Sequence, residues 1–218
     1  MVNINGKDCI YNSNTINIIV HPNPVATISG VNTVCSGGSV TFTAGGGTSY
    51  LWSTNEITQS ITVSDNTPRT VTITDVNGCT DIDTKILTVF ANPTAGITGV
   101  DAVCEGESIT FTANGGTDYI WTNGETTESI TVLDNNPKSV TVTDANGCSD
   151  IATKTLTIHS NPTAVIVGDI AVCAGRSANF IASGGIDYIW SSNEIIPGIT
   201  VTDSTPRSVT VTDANGCT

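Results

Sequence analysis

The run Ser139-Val140-Thr141-Val142-Thr143-Asp144-Ala145-Asn146-Gly147-Cys148 contains a strand and the turn that ends it. Val140 and Val142 alternate with threonines, which gives one apolar and one hydroxyl face, and Asn-Gly is the dipeptide that most favours a tight hairpin. The same ten residues recur 69 positions on, from Ser208 to Cys217, and 69 positions back as Thr70 to Cys79 with only three changes. Working outward, Cys104, Gly106, Ser108, Phe111, Tyr119 and Trp121 recur as Cys35, Gly37, Ser39, Phe42, Tyr50 and Trp52, and again as Cys173, Gly175, Ser177, Phe180, Tyr188 and Trp190. A fixed period means a tandem array of one small module and excludes a single fold over all 218 residues.

Asn23-Pro24, Asn92-Pro93 and Asn161-Pro162 mark the joints, short and extended because proline restricts itself and its predecessor. The expected modules are residues 23–91, 92–160 and 161–218. Residues 1–22 read as the last hairpin and strand of an incomplete module: Asn5-Gly6 resembles the other turns, and Ile16, Ile18 and Val20 alternate as a strand. The third module has no counterpart of Asp81 to Val89, its final strand. Head-to-tail completion follows as an expectation, with the strand around Ile16, Ile18 and Val20 finishing such a unit, within a longer chain or between subunits.

Each module reads as β throughout. Val40, Phe42 and Ala44 alternate with threonines, Gly45-Gly46-Gly47 supplies a turn before the Tyr-x-Trp strand, and turn signals fall every 8 to 12 residues, the pattern of a β-sandwich. A 69-residue core only marginally offsets chain entropy, so a covalent tie is expected. Six of the seven cysteines fall as one pair per module, and pairing inside each module predicts Cys35–Cys79, Cys104–Cys148 and Cys173–Cys217. Each bond would add on the order of 4 kcal/mol by loss of unfolded-state freedom. Cys9, one position off the period, is left unpaired or intermolecular. No CxxC occurs, so disulfides and an oxidising, extracellular setting are the reading.

The combination Val-Cys-x-Gly-x-Ser, Tyr-x-Trp, Ser-Ile-Thr-Val and Val-Thr-Val-Thr-Asp-Ala-Asn-Gly-Cys resembles the immunoglobulin-like and PKD-like repeats of Bacteroidota cell-surface proteins and gliding adhesins. The resemblance covers all three modules and the leading fragment. It implies a tandem array of small immunoglobulin-like sandwiches, export by the type IX route and a place at the cell surface.

A net charge of −13 with seven Lys plus Arg excludes a phosphate-backbone binder. No segment approaches the ~20 apolar residues that cross a bilayer, so no membrane insertion is expected here. Trp52, Trp121 and Trp190 read as core anchors rather than a sugar-stacking ladder. Asp75, Asp144 and Asp213 are candidate calcium ligands, but the spacing is not that of a calcium loop and turn propensity explains these residues, so no metal or other cofactor is assigned. Ser204, in Asp203-Ser204-Thr205, is a candidate for O-glycosylation. Histidine occurs only at 21 and 159, no nucleophile and base repeat together, and an enzyme is not expected. The expected function is an extracellular stalk or filament whose partners are further copies of the repeat. The alternative is a glycan- or protein-binding array using the loops at 55–59, 123–128 and 193–197, where the modules differ most.

Overall fold

A computed structural model describes residues 3–4, 7–8 and 16–218. All secondary structure among them is β, and no helix is long and apolar enough to cross a membrane. The chain divides into two compact units, Met1–Phe90 and Ala91–Thr218.

The second unit opens with a module of eight strands: β1 (Gly96–Thr98), β2 (Ala102–Cys104), β3 (Ile109–Asn114), β4 (Asp118–Trp121), β5 (Ser129–Val132), β6 (Lys138–Thr143), β7 (Ser149–Lys154) and β8 (Thr157–His159). One sheet runs β1-β3-β5 and the other β4-β6-β7, all antiparallel. β2 instead lies parallel to β8, with Cys104 opposite His159. The β6–β7 hairpin closes through the Asn-Gly turn, where Gly147 has φ 81° and donates its N–H to Asp144 O at 3.0 Å.

Alternation decides what faces inward. Phe111 and Ala113 of β3, Val140 and Val142 of β6, Ile130 and Val132 of β5, and Trp121 meet between the sheets, and Leu156 between β7 and β8 completes the cluster. Trp52, Trp121 and Trp190 are 1, 2 and 1% exposed, and each indole N–H donates at 2.9 Å to a backbone carbonyl, of Thr58, Thr127 and Ile196 respectively. The buried ring therefore leaves no polar atom unmatched. The first glycine after β3 is forced: Gly115 has φ 104°, and a Cβ there would lie 2.0 Å from Thr94 O.

The first unit contains the same eight strands in the same registers, with Leu87 buried where Leu156 is and Thr88–Phe90 parallel to Thr33–Cys35. Ahead of it, Asn3–Ile4 pairs antiparallel with Lys7–Asp8. Ile16, Ile18 and Val20, read as a strand from their alternation, lie in no strand and are exposed.

The third repeat, in the second unit, has a three-stranded sheet of Val165–Gly168, Ala178–Ser183 and Gly198–Val201, and a two-stranded one of Asp187–Trp190 and Val209–Thr212. The segment 171–173, a strand in both other modules, is irregular here.

Candidate functional site

Two features stand out: the junction between the two modules of the second unit, and a groove in the third repeat.

The junction is covalent. Cys104 is bonded to Cys217, with Cα atoms 5.5 Å apart and 113 positions between them in sequence. This corrects the expected pairs Cys104–Cys148 and Cys173–Cys217. Cys35 and Cys148 are also disulfide-bonded, whereas Cys79 and Cys173 are free thiols, so the pair Cys35–Cys79 is wrong as well, as is the expectation of one bond inside each module. The reason is the direction of the chain. Cys148 stands at the start of β7, whereas Cys104 sits beside His159 at the end of β8. About eleven residues of mostly extended chain separate those places, on the order of 30 Å, and a disulfide tolerates no more than about 7 Å between Cα atoms. Cys104 and Cys148 lie at opposite ends of their module, and Cys217, the hairpin cysteine of the next, is the one within reach of Cys104. Cys9 lies outside the described residues.

Around this bond the two modules are fitted to each other. Ala102, Val103, Cys104, Glu107 and His159 from one module, with Asn215 from the next, line a small cavity of about 250 Å³. Asn161 Nδ2 donates to Glu105 O at 3.2 Å, and Glu105 N–H donates to His159 O at 2.8 Å, which ties the Pro joint back to the turn after β2. His159 also lies near the next module's hairpin. The Asp213 carboxyl is held below its ordinary value, chiefly by the Cys217 N–H against partial desolvation, then by Asn215 and by His159. In the first unit desolvation pushes the Asp75 carboxyl up, but the Cys79 and Asn77 N–H groups, the Asn77 side chain and, least, His21 together hold it below its ordinary value.

The three acidic turns proposed for calcium are committed to their hairpins. Asp75, Asp144 and Asp213 each accept two backbone N–H groups through Oδ1, from Asn77 and Cys79, Asn146 and Cys148, and Asn215 and Cys217, at 2.8 to 2.9 Å. Among the described residues no three His, Cys, Asp or Glu side chains gather as a metal site. Ser204 is exposed in a turn held by Asp203, whose Oδ1 accepts the Thr205 N–H at 2.7 Å.

The loops at 55–59, 123–128 and 193–197 vary in sequence but share one backbone. Asn55, Gly124 and Asn193 all have positive φ, and each donates its N–H to the carbonyl of the preceding tryptophan. Their side chains are the variable part.

The groove lies in the third repeat. Ile166, Ile170, Val172, Ala178, Phe180 and Val201 line a depression of about 560 Å³. In the other modules Leu87 and Leu156, both 0% exposed, pack into the equivalent core against Phe42 and Phe111. Phe180 is instead only half-buried, and Ile170 is fully exposed.

No family model and no curated protein matches the chain. Among solved structures it is similar to murine CEACAM1b, with 14% identity, 62% of this chain and 100% of that one covered and a TM-score of 0.31. It is also similar to a 1.5-MDa bacterial ice-binding adhesin, with 15% identity, 89% and 85% covered and a TM-score of 0.33. A titin I-band fragment gives 12% identity, 81% and 82% covered and a TM-score of 0.37. The strand order and registers, not these likenesses, carry the fold. In the first two modules, two antiparallel sheets of three strands with a parallel edge pair define tandem immunoglobulin-like sandwiches, and the third repeat keeps one such sheet and two strands of the other.

Proposed function

We propose that the chain is an extracellular, load-bearing repeat segment, part of a stalk or surface filament in which the final strand completes successive units. The observation that carries this reading is the Cys104–Cys217 bond between modules. A bond inside a module protects that module's fold, whereas a bond from one module to the next protects the connection against extension. It also requires an oxidising setting, which supports a place outside the cell. The resemblance of the sequence to Bacteroidota surface repeats supports the same setting and export by the type IX route. The common backbone of the variable loops supports a spacer over a glycan- or protein-binding array. The partners on this reading are further copies of the repeat.

Immunogold labelling of whole, unpermeabilised cells that produce the protein tests this. Thin stalks or filaments decorated outside the cell are expected. Label that appears only after permeabilisation overturns the reading.

A further inference from the structure

We propose that Asn123 is a site of spontaneous covalent modification: in the folded loop 123–128 of the second module its side-chain amide is converted to a carboxyl, as aspartate or isoaspartate, with Glu125 assisting. Asn-Gly pairs lie among the described residues at 77, 114, 123, 146 and 215. Glycine, lacking a Cβ, least hinders attack by its own backbone nitrogen on the preceding side chain. The dipeptide alone therefore ranks these sites equally, and the fold does not.

The attacking nitrogen does not separate the loop from the hairpins. Gly78, Gly147 and Gly216 donate their N–H to the carbonyls of Asp75, Asp144 and Asp213 at 3.0 to 3.2 Å, and Gly124 donates to Trp121 O at 2.9 Å. The attacked amide does separate them. Asn123 Oδ1 accepts the Glu125 N–H at 3.1 Å, while Asn123 Nδ2 donates to Glu125 Oε1 at 2.7 Å. Only one orientation of the amide satisfies both contacts, because the N–H needs an acceptor and the carboxylate needs a donor. One residue thus polarises the carbonyl under attack and holds the nitrogen that must leave.

The other sites lack this pair of contacts. Asn77, Asn146 and Asn215 donate to a carboxylate at 3.4, 3.3 and 3.2 Å, and among the described residues no N–H donates to their side-chain oxygens. Each of those carboxylates is already committed through Oδ1 to two backbone N–H groups. Asn114 ends β3 opposite Gly96, and a Cβ on Gly96 would lie 2.5 Å from Asn114 Oδ1, so its amide lies against the neighbouring strand.

The step balances without an oxidant or a metal. Gly124 N attacks Asn123 Cγ, and the carbonyl electron pair moves onto Oδ1, where the Glu125 N–H receives it. As the pair returns, the bond from Cγ to Nδ2 breaks and the leaving nitrogen takes the Gly124 proton, with the Glu125 carboxylate beside it to carry that proton. Ammonia and a five-membered imide result. Water opens the imide at either carbonyl, giving aspartate or isoaspartate. The new carboxyl then faces Glu125, so a hydrogen bond becomes a repulsion between like charges, and isoaspartate adds a carbon to the backbone between β4 and β5. The equivalent loops cannot follow. Thr54 and Ser192 stand at the Asn123 position and have no amide to lose, while Asn55 and Asn193, at the Gly124 position, are each followed by a glutamate whose Cβ crowds the attacking nitrogen.

The test holds the full 218-residue chain in mildly alkaline buffer, digests samples at intervals and weighs each Asn-Gly peptide for exchange of amide for carboxyl. The Asn123 peptide should convert severalfold faster than those of Asn77, Asn114, Asn146 and Asn215, and its products should include isoaspartate. Glu125→Gln retains the backbone N–H and removes the proton carrier. It should slow Asn123 by at least tenfold, below the roughly hundredfold that such a group typically contributes, and leave the other sites unchanged. In denaturant the lead of Asn123 should vanish. Conversion of Asn123 no faster than that of the hairpin asparagines overturns the proposal, as does an unchanged rate in Glu125→Gln. A lead that persists in denaturant also overturns it, because the cause would then be local sequence and not the folded loop.

Discussion

The Cys104–Cys217 bond has a mechanical consequence that can be measured in length. Its 113 positions of sequence are bridged by 5.5 Å between Cα atoms. When the two modules unfold under tension with the bond intact, the enclosed chain adds nothing to the extension. When the bond is reduced, the same 113 residues extend at about 3.3 to 3.6 Å each, adding roughly 370 to 410 Å. The clean experiment is single-molecule stretching of the full chain in which every cysteine except Cys104 and Cys217 is serine, with and without reductant. Pairing inside a module predicts another outcome, because the variant would then contain no bond and reductant would change nothing. Equal unfolding lengths in the two conditions would refute the inter-module assignment. At equilibrium, closing a loop of on the order of 100 residues should add about 4.7 kcal/mol by chain entropy, so the reduced variant should also melt earlier.

Trp121→Ala removes a ring that is 2% exposed and should cost about 3 to 5 kcal/mol in equilibrium denaturation, with Trp121→Phe recovering much of it. Gly115→Ala places a Cβ 2.0 Å from Thr94 O at φ 104°, whereas Gly147→Ala at φ 81° meets nothing within 4 Å. The first should therefore cost clearly more than the second, which carries only the left-handed backbone penalty of about 1 to 2 kcal/mol; similar losses on denaturation would contradict this. The Thr67 N–H and the Arg69 guanidinium hold the Asp65 carboxyl down to about 2. Its stabilising effect should be complete above the unfolded value near 4 and vanish as pH falls through about 2. Denaturation midpoints of wild type and Asp65→Asn should accordingly differ at pH 7 and converge at pH 2, and a gap that persists in acid would count against it.

Much of the module follows from local rules. The alternation of Val140 and Val142 with threonine sets the inner face of β6 because side chains on a strand point to opposite sides, and Asn146-Gly147 sets the hairpin because only certain residues accept its backbone angles. Trp121 is buried because it is the largest apolar group the module offers, and the 69-residue period multiplies each of these readings by three. None of this required knowing what lies across the sandwich. The partners of the cysteines did. Spacing places Cys104 and Cys148 in one module, but β7 and β8 run the length of the sandwich between them, and the parallel pairing of β2 with β8 leaves no periodic signature that fixes their ends. The same holds for the ion pair of Lys154 with Asp101: their residue types were legible, but their proximity depends on strands far apart in sequence. The sequence by itself determined the module, its core and its turns, because those depend on neighbours along the chain. Only the tertiary structure decided which end of a module faces the next, and so which cysteine meets which, because that depends on the direction in which each strand crosses the sandwich.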